Sequence, residues 1–212
     1  MNILLLGANG KIGRKLVSLL KETPHHLRAM VRKEEQVPVI QRLGADEVVI
    51  GDLEKDFSHW AEGMDAIIFS AGSGGHTGPD KTILVDLDGA FKAIEAAEQH
   101  QVGRFVMISS IGADQPEKGP DSIRHYLVAK KRADERLRNS SLNYTIIRPG
   151  ALTNDPAKGT VLLREHIDQP ASIPRADVAR VVGEALEHEN TYRRSFDLVT
   201  GDQPIQEALN NL

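Results

Sequence analysis

The sequence has 212 residues, of which 40% are apolar and 26% charged, with a net charge of -4; that size and balance describe one globular α/β core with elaborations and leave no room for a second full domain. Without a basic excess, nucleic acid is not the expected partner, and without cysteine there is no disulfide, thiolate zinc site or cysteine nucleophile. The opening residues lack the features of a signal peptide, and no apolar run approaches the ~20 residues that span a bilayer, so a cytoplasmic protein with no membrane partner is expected.

Short runs rich in Val, Ile and Leu alternate with longer amphipathic stretches, the pattern of parallel strands joined by crossover helices. Strands are predicted at 2–6, 27–31, 47–50, 66–69, 105–108, 144–147 and 196–199, and helices at 11–21, 82–99, 123–138 and 176–187, with Pro174 near the start of the last. The expected fold is a single doubly wound Rossmann domain over 1–212, with a mostly parallel sheet of about seven strands and a small substrate region after the sixth. The stretches least like regular structure, 72–81, 112–122 and 151–171, each follow a strand, where an open α/β sheet builds its ligand crevice.

Directly after the first strand comes Gly7-Ala8-Asn9-Gly10-Lys11-Ile12-Gly13, leading into an amphipathic helix. Glycine at these positions permits a tight turn, close approach of backbone to a pyrophosphate and close packing of helix on strand, while the helix start offers unpaired N–H groups to phosphate. A plain glycine turn is the alternative. A magnesium-nucleotide loop is excluded, because Ile12 follows Lys11 where Ser or Thr would hold the metal.

The second strand ends in Val31-Arg32-Lys33, where a carboxylate that grips a ribose 2′-hydroxyl would stand in an NAD site. A guanidinium there can pair with a 2′-phosphate, and Arg14 can approach the same group, which selects NADP. Against this, Arg32 beside Glu34 and Glu35 also reads as a solvated charge. Asp52 and Leu53 suit an adenine pocket or a simple helix cap. Ser70, Ala71 and Gly72 supply small residues along the path of a cofactor.

On the helix at 123–138, Tyr126 and Lys130 lie one turn apart on one face. A phenol holds its proton too tightly for neutral-pH chemistry unless a nearby cation favours the phenolate. Lys130 can be that cation and can bond a nicotinamide ribose, and a hydroxyl from Ser109 or Ser110 can polarise a carbonyl. A partly buried aromatic with a solvated lysine beside it is the plainer reading. His76 is a further candidate for substrate contact. His25 and His26 read as surface residues, and the charges at 130–138 as the solvated face of a helix.

Taken together, the glycine loop, Asp52-Leu53, Ser109-Ser110, the Tyr126/Lys130 pair, Arg148-Pro149-Gly150 and Arg175-Ala176-Asp177-Val178-Ala179 resemble a short-chain dehydrogenase/reductase. Within that group the chain is similar to the compact atypical members that are epimerase/dehydratase-like or NmrA-like. The resemblance implies Tyr126 as acid/base, Lys130 orienting the ribose, Ser110 holding the substrate oxygen, Ser109 near the cofactor, and Pro149 and Gly150 against the nicotinamide. Where many members carry an asparagine that supports a proton relay, this chain has Asp86. The implied activity is NADP(H)-dependent hydride transfer to or from a small carbonyl or alcohol, by a monomer or homodimer with no other partner than its substrate. The alternatives are an epimerase/dehydratase-like enzyme, disfavoured because only about 60 residues follow Gly150, and a non-catalytic NADP sensor, a role some members take after losing the tyrosine retained here.

Overall fold

The computed structural model describes residues 1–75 and 77–212. The fully buried run from Ile3 to Leu6 makes β1 (Asn2–Leu6) the middle of the molecule. Alternate side chains of that strand point to opposite faces, so Ile3 and Leu5 join one apolar core while Leu4 and Leu6 join the other. After β1 the chain forms α1 (Lys11–Leu20), β2 (His26–Val31), α2 (Val37–Leu43), β3 (Glu47–Ile50) and β4 (Ala66–Phe69). A single turn α3 (Pro79–Lys81) leads to α4 (Gly89–Gln99), then β5 (Arg104–Ile108), α5 (Arg124–Arg138) and β6 (Asn143–Pro149). The carboxyl-terminal part adds β7 (Ala151–Thr153), β8 (Thr160–Arg164), β9 (Ser172–Pro174), α6 (Arg175–Ala185), β10 (Arg194–Thr200), β11 (Gln203–Pro204) and α7 (Ile205–Asn210).

The main sheet runs β11-β8-β10-β6-β5-β4-β1-β2-β3 and is parallel from β10 to β3. Strand order reverses at β1, which pairs with β2 on one side and β4 on the other, so the crevice of a doubly wound sheet opens above the carboxyl ends of β1 and β4. All seven predicted strands are present. The sheet nevertheless has nine strands, not about seven, because β8 runs antiparallel to β10 and β11 antiparallel to β8. Nor is 151–171 irregular throughout: it contains β8, as well as β7, which pairs with β9 in a separate two-stranded sheet. These strands are short and buried on one face at most, so they lack the continuous apolar run that marks a central parallel strand. The helix predicted at 82–99 also differs, since its first part, Thr82–Asp88, is wound as a π-helix before α4 begins. Among the described residues no helix is long and apolar enough to cross a membrane.

Candidate functional site

At the top of β1, Gly7 adopts φ +87°, and a Cβ there would lie 2.7 Å from the Ala71 backbone, so the glycine loop passes directly against the end of β4. A Cβ on Gly13 would lie 2.2 Å from the Gly7 carbonyl oxygen, which is how closely α1 sits on the loop. Gly10 differs: its backbone is extended, and among the described residues its Cβ position meets just the Gly7 oxygen, at 3.2 Å. The turn is closed by the Gly10 N–H donating to the Gly7 oxygen at 3.0 Å. Gly10 caps α1 without a side-chain hydrogen bond, and the first turn of α1 carries no acidic residue. The N–H groups of Lys11, Ile12 and Gly13 and the positive end of the helix are therefore left for an anion. Lys11 is exposed, whereas the Ile12 side chain belongs to the core and offers only its backbone.

Toward the β2 and β3 side, Arg32 is exposed, with no carboxylate at ion-pair distance among the described residues, while Lys33 pairs with Glu35 at 3.3 Å. Arg14 donates through Nε and a terminal nitrogen to the Asn9 amide oxygen, at 3.1 and 2.7 Å. One Asp52 oxygen accepts the Glu54 N–H at 3.1 Å in an Asx turn, and no helix begins there, so Asp52 is not a helix cap. Leu53 is buried against Gly89 at the start of α4.

Toward β4 and β5, the Ser70 hydroxyl and one Asp86 carboxylate oxygen are buried without a hydrogen-bond partner among the described residues, while the Ser109 hydroxyl lies beside the Asp134 carboxyl. The second Asp86 oxygen accepts the Ser73 N–H at 2.9 Å, which ties the loop after Ala71 and Gly72 to the π-helical turn. Ser110 is half-buried and its hydroxyl donates to the Ile111 carbonyl at 3.2 Å. Tyr126 is half-buried, and one turn along α5 Lys130 is 2% exposed, its ammonium donating to the Ile108 carbonyl at 2.8 Å and lying 5.9 Å from the Phe69 ring centre. Pro149 ends β6 and Gly150 follows it: the Pro149 carbonyl accepts the Ile111 N–H at 3.0 Å, and the Gly150 N–H donates to the Leu198 carbonyl at 2.9 Å. The open cradle above Gly10, the unpartnered Ser70 and Asp86 oxygens and the unpaired guanidinium of Arg32 fit a nicotinamide dinucleotide. His76 lies outside the described residues.

Two expectations need correction. The charges at 130–138 are not a solvated face, because Lys130 and Asp134 point into the protein, where Asp134 is 1% exposed and pairs with Arg148 at 3.2 Å. Burial pushes the Asp134 carboxyl up from its ordinary range, against the pull of Arg148. His25 is not a surface residue either: its ring is 6% exposed beside Glu187 at 3.4 Å, and burial together with the amino-terminal charge lowers its pKa. Sequence reasoning also missed a polar array behind the candidate site, in which Arg148 lies between Asp134 and Asp197, at 3.8 Å from the latter, and His166 bonds Asp114 at 3.2 Å and Asp168 at 2.9 Å. The available signal was the spacing of Tyr126, Lys130 and Asp134 at successive turns of one helical face.

The NAD(P)H-binding family model matches residues 7–189. A Bacillus subtilis protein named as an uncharacterized sugar epimerase, YhfK, is 50% identical over the whole of both chains. The sanguinarine reductase of Eschscholzia californica is 30% identical over 98% of this chain and 92% of its own length. Among solved structures, an NAD-dependent epimerase/dehydratase of Bacillus halodurans superimposes with a TM-score of 0.98 at 47% identity, covering all of both chains. The chain belongs to the NAD(P)H-binding family of Rossmann-fold enzymes, whose members by name include oxidoreductases and epimerases.

Proposed function

We propose that the protein is an NADP-dependent oxidoreductase of the short-chain dehydrogenase/reductase type, acting on a small carbonyl or the corresponding alcohol with Tyr126 as acid/base. The observation that carries this reading is Lys130, an ammonium 2% exposed, with the Ile108 carbonyl as acceptor and no carboxylate at ion-pair distance among the described residues. Burying a cation with no carboxylate in contact opposes folding, even though the Asp134 carboxyl one turn on feels its charge, so its place one turn from Tyr126 is better explained by the site than by the core. The N–H bonds of Lys130 not directed at Ile108 suit the ribose hydroxyls of a nicotinamide nucleotide, and the loop at Gly7, Gly10 and Gly13 suits its diphosphate. When bound, the reduced nicotinamide supplies the hydride that a carbonyl carbon accepts. In that direction Ser110 donates a hydrogen bond to the carbonyl oxygen, Tyr126 transfers its phenolic proton to the same oxygen, and Lys130 stabilises the phenolate left behind. Arg32, at the place where a carboxylate would select NAD, supports the phosphorylated cofactor.

The test is NADPH oxidation by purified protein across aldehydes, ketones and quinones, with Tyr126→Phe alongside. Tyr126→Phe should keep cofactor affinity and lose turnover by roughly 10²- to 10⁴-fold; equal turnover by the two proteins refutes the mechanism. A second reading draws on the name of the 50% identical Bacillus subtilis relative, a sugar epimerase. In that case a nucleotide sugar is interconverted with no net NADPH oxidation, and that result selects it.

A further inference from the structure

Two arginines are candidates for the 2′-phosphate, and a neutral amide bonds each of them, the guanidinium of Arg14 and the backbone of Arg32. Arg14 is fixed by three contacts to one residue: its Nε donates to the Asn9 carbonyl at 3.2 Å and to the Asn9 amide oxygen at 3.1 Å, and a terminal nitrogen donates to that amide oxygen at 2.7 Å. Arg32 is fixed through its backbone. The N–H groups of Arg32 and Lys33 both donate to the Gln36 amide oxygen, at 3.1 and 3.2 Å, which sets the turn that carries the Arg32 side chain. The neighbouring ammonium groups are treated differently, since Lys33 pairs with Glu35 at 3.3 Å and Lys81 with Glu54 at 2.7 Å.

A carboxylate at position 9 or 36 would make the same hydrogen bonds, and make them more strongly. It would also cancel the positive charge that a phosphate dianion needs. An amide oxygen supplies the geometry alone, restricting an arginine whose free side chain samples many rotamers while leaving its field intact. We propose that Asn9 and Gln36 are positioning residues that set selectivity for the 2′-phosphorylated cofactor by aiming Arg14 and Arg32 without neutralising them. This rests on the NADP reading of Arg32 given above.

The experiment measures the dissociation constants of NADPH and NADH for wild type, Gln36→Glu, Asn9→Ala and Arg32→Ala, with thermal unfolding of each protein. The single tryptophan is a built-in reporter, since Trp60 lies 3.4 Å from the Cβ position of Gly51, beside Asp52. Gln36→Glu keeps the backbone bonds and adds one charge, so it should lower the NADPH-to-NADH affinity ratio about tenfold at low salt, and less at high salt, without lowering the melting temperature. Asn9→Ala should lower the ratio roughly three- to tenfold by releasing Arg14. If Arg32→Ala lowers the ratio while Gln36→Glu and Asn9→Ala leave it unchanged, the amides do not set selectivity and the NADP reading survives. If Arg32→Ala also leaves the ratio unchanged, both fail together.

Discussion

Gly10 and Gly13 belong to the same loop, yet alanine at each should fail for different reasons. At Gly13 the added methyl meets backbone on two sides, 2.2 Å from the Gly7 oxygen and 2.8 Å from the Ala8 oxygen. Neither atom can give way without lifting α1 from β1, so Gly13→Ala should destabilise the fold by about 1–3 kcal/mol, the usual scale of overpacking. Gly10 has φ -70° and ψ 165°, which any residue adopts, and its methyl is 3.2 Å from one oxygen. Alanine is a poorer N-cap than glycine by several tenths of a kcal/mol, and the loss of unfolded-state freedom returns about 0.4–1 kcal/mol, so the fold should be nearly indifferent to Gly10→Ala. Cofactor should not be. The methyl stands where the diphosphate is proposed to approach α1, and losing one or two charge-assisted bonds there would remove about 2–3 kcal/mol, or roughly 30- to 150-fold in affinity. Urea unfolding and Trp60 titrations with NADH and NADPH separate the two effects. A Gly10→Ala protein that binds both cofactors like wild type would show that the diphosphate does not cross this loop, and an undiminished unfolding midpoint for Gly13→Ala would refute the packing argument.

Replacing Lys130 by Met removes a buried cation and one hydrogen bond at nearly constant shape. Thermal stability should then stay within about 1 kcal/mol of wild type or rise, while NADPH turnover is lost; a large drop in melting temperature would make Lys130 a structural residue. At the opposite end of the sheet, the Arg104 guanidinium donates to the Ala185 and Asn143 carbonyls and to Thr145, each at 2.7 Å, and to Thr191 at 3.1 Å, closing the carboxyl end of α6. Its burial lowers its pKa to about 10, so it remains charged at neutral pH. Arg104→Met strands those acceptors and should lower stability by about 3–5 kcal/mol in urea unfolding, with cofactor affinity of the folded fraction unchanged. Because the folded-state pKa of His25 is lowered from 6.5, the unfolded chain binds the extra proton more readily. Stability should therefore be complete above that value and decline as pH falls below it, and His25→Gln should flatten the decline in a series of melting curves.

The cofactor half was legible because its signals are local. The Ile3 to Leu6 run, the glycine spacing behind it and the Tyr126/Lys130 interval each lie within one strand–turn–helix or one helix, and the structure places all of them at the carboxyl edge of the sheet or on α1 and α5 beside it. Some missed elements also had local marks: α2 has Pro38 in its first turn and ends at Gly44 with φ +109°, a pairing typical of helix boundaries. The Asp134–Arg148–Asp197 array had only the helical spacing of Asp134 behind Lys130, because Arg148 and Asp197 come from β6 and β10 and are charged residues whose burial only the assembled sheet reveals.

The same distinction explains why the loops of the carboxyl-terminal part resist reading. Its loops are shaped by carboxylates supplied from distant elements. Asp177, wholly buried in the first turn of α6, accepts the N–H groups of Lys158 at 2.8 Å and Gly159 at 2.9 Å. Asp197, wholly buried on β10, accepts that of Ile167 at 2.9 Å. Each carboxylate acts as a local template for a backbone that has no regular partner of its own. The glycine loop needs no such template, since its shape follows from its own missing side chains. A glycine-loop cofactor site is therefore written in contiguous residues, whereas the loops proposed to meet the substrate depend on a few buried acids whose partners the order of the chain does not disclose.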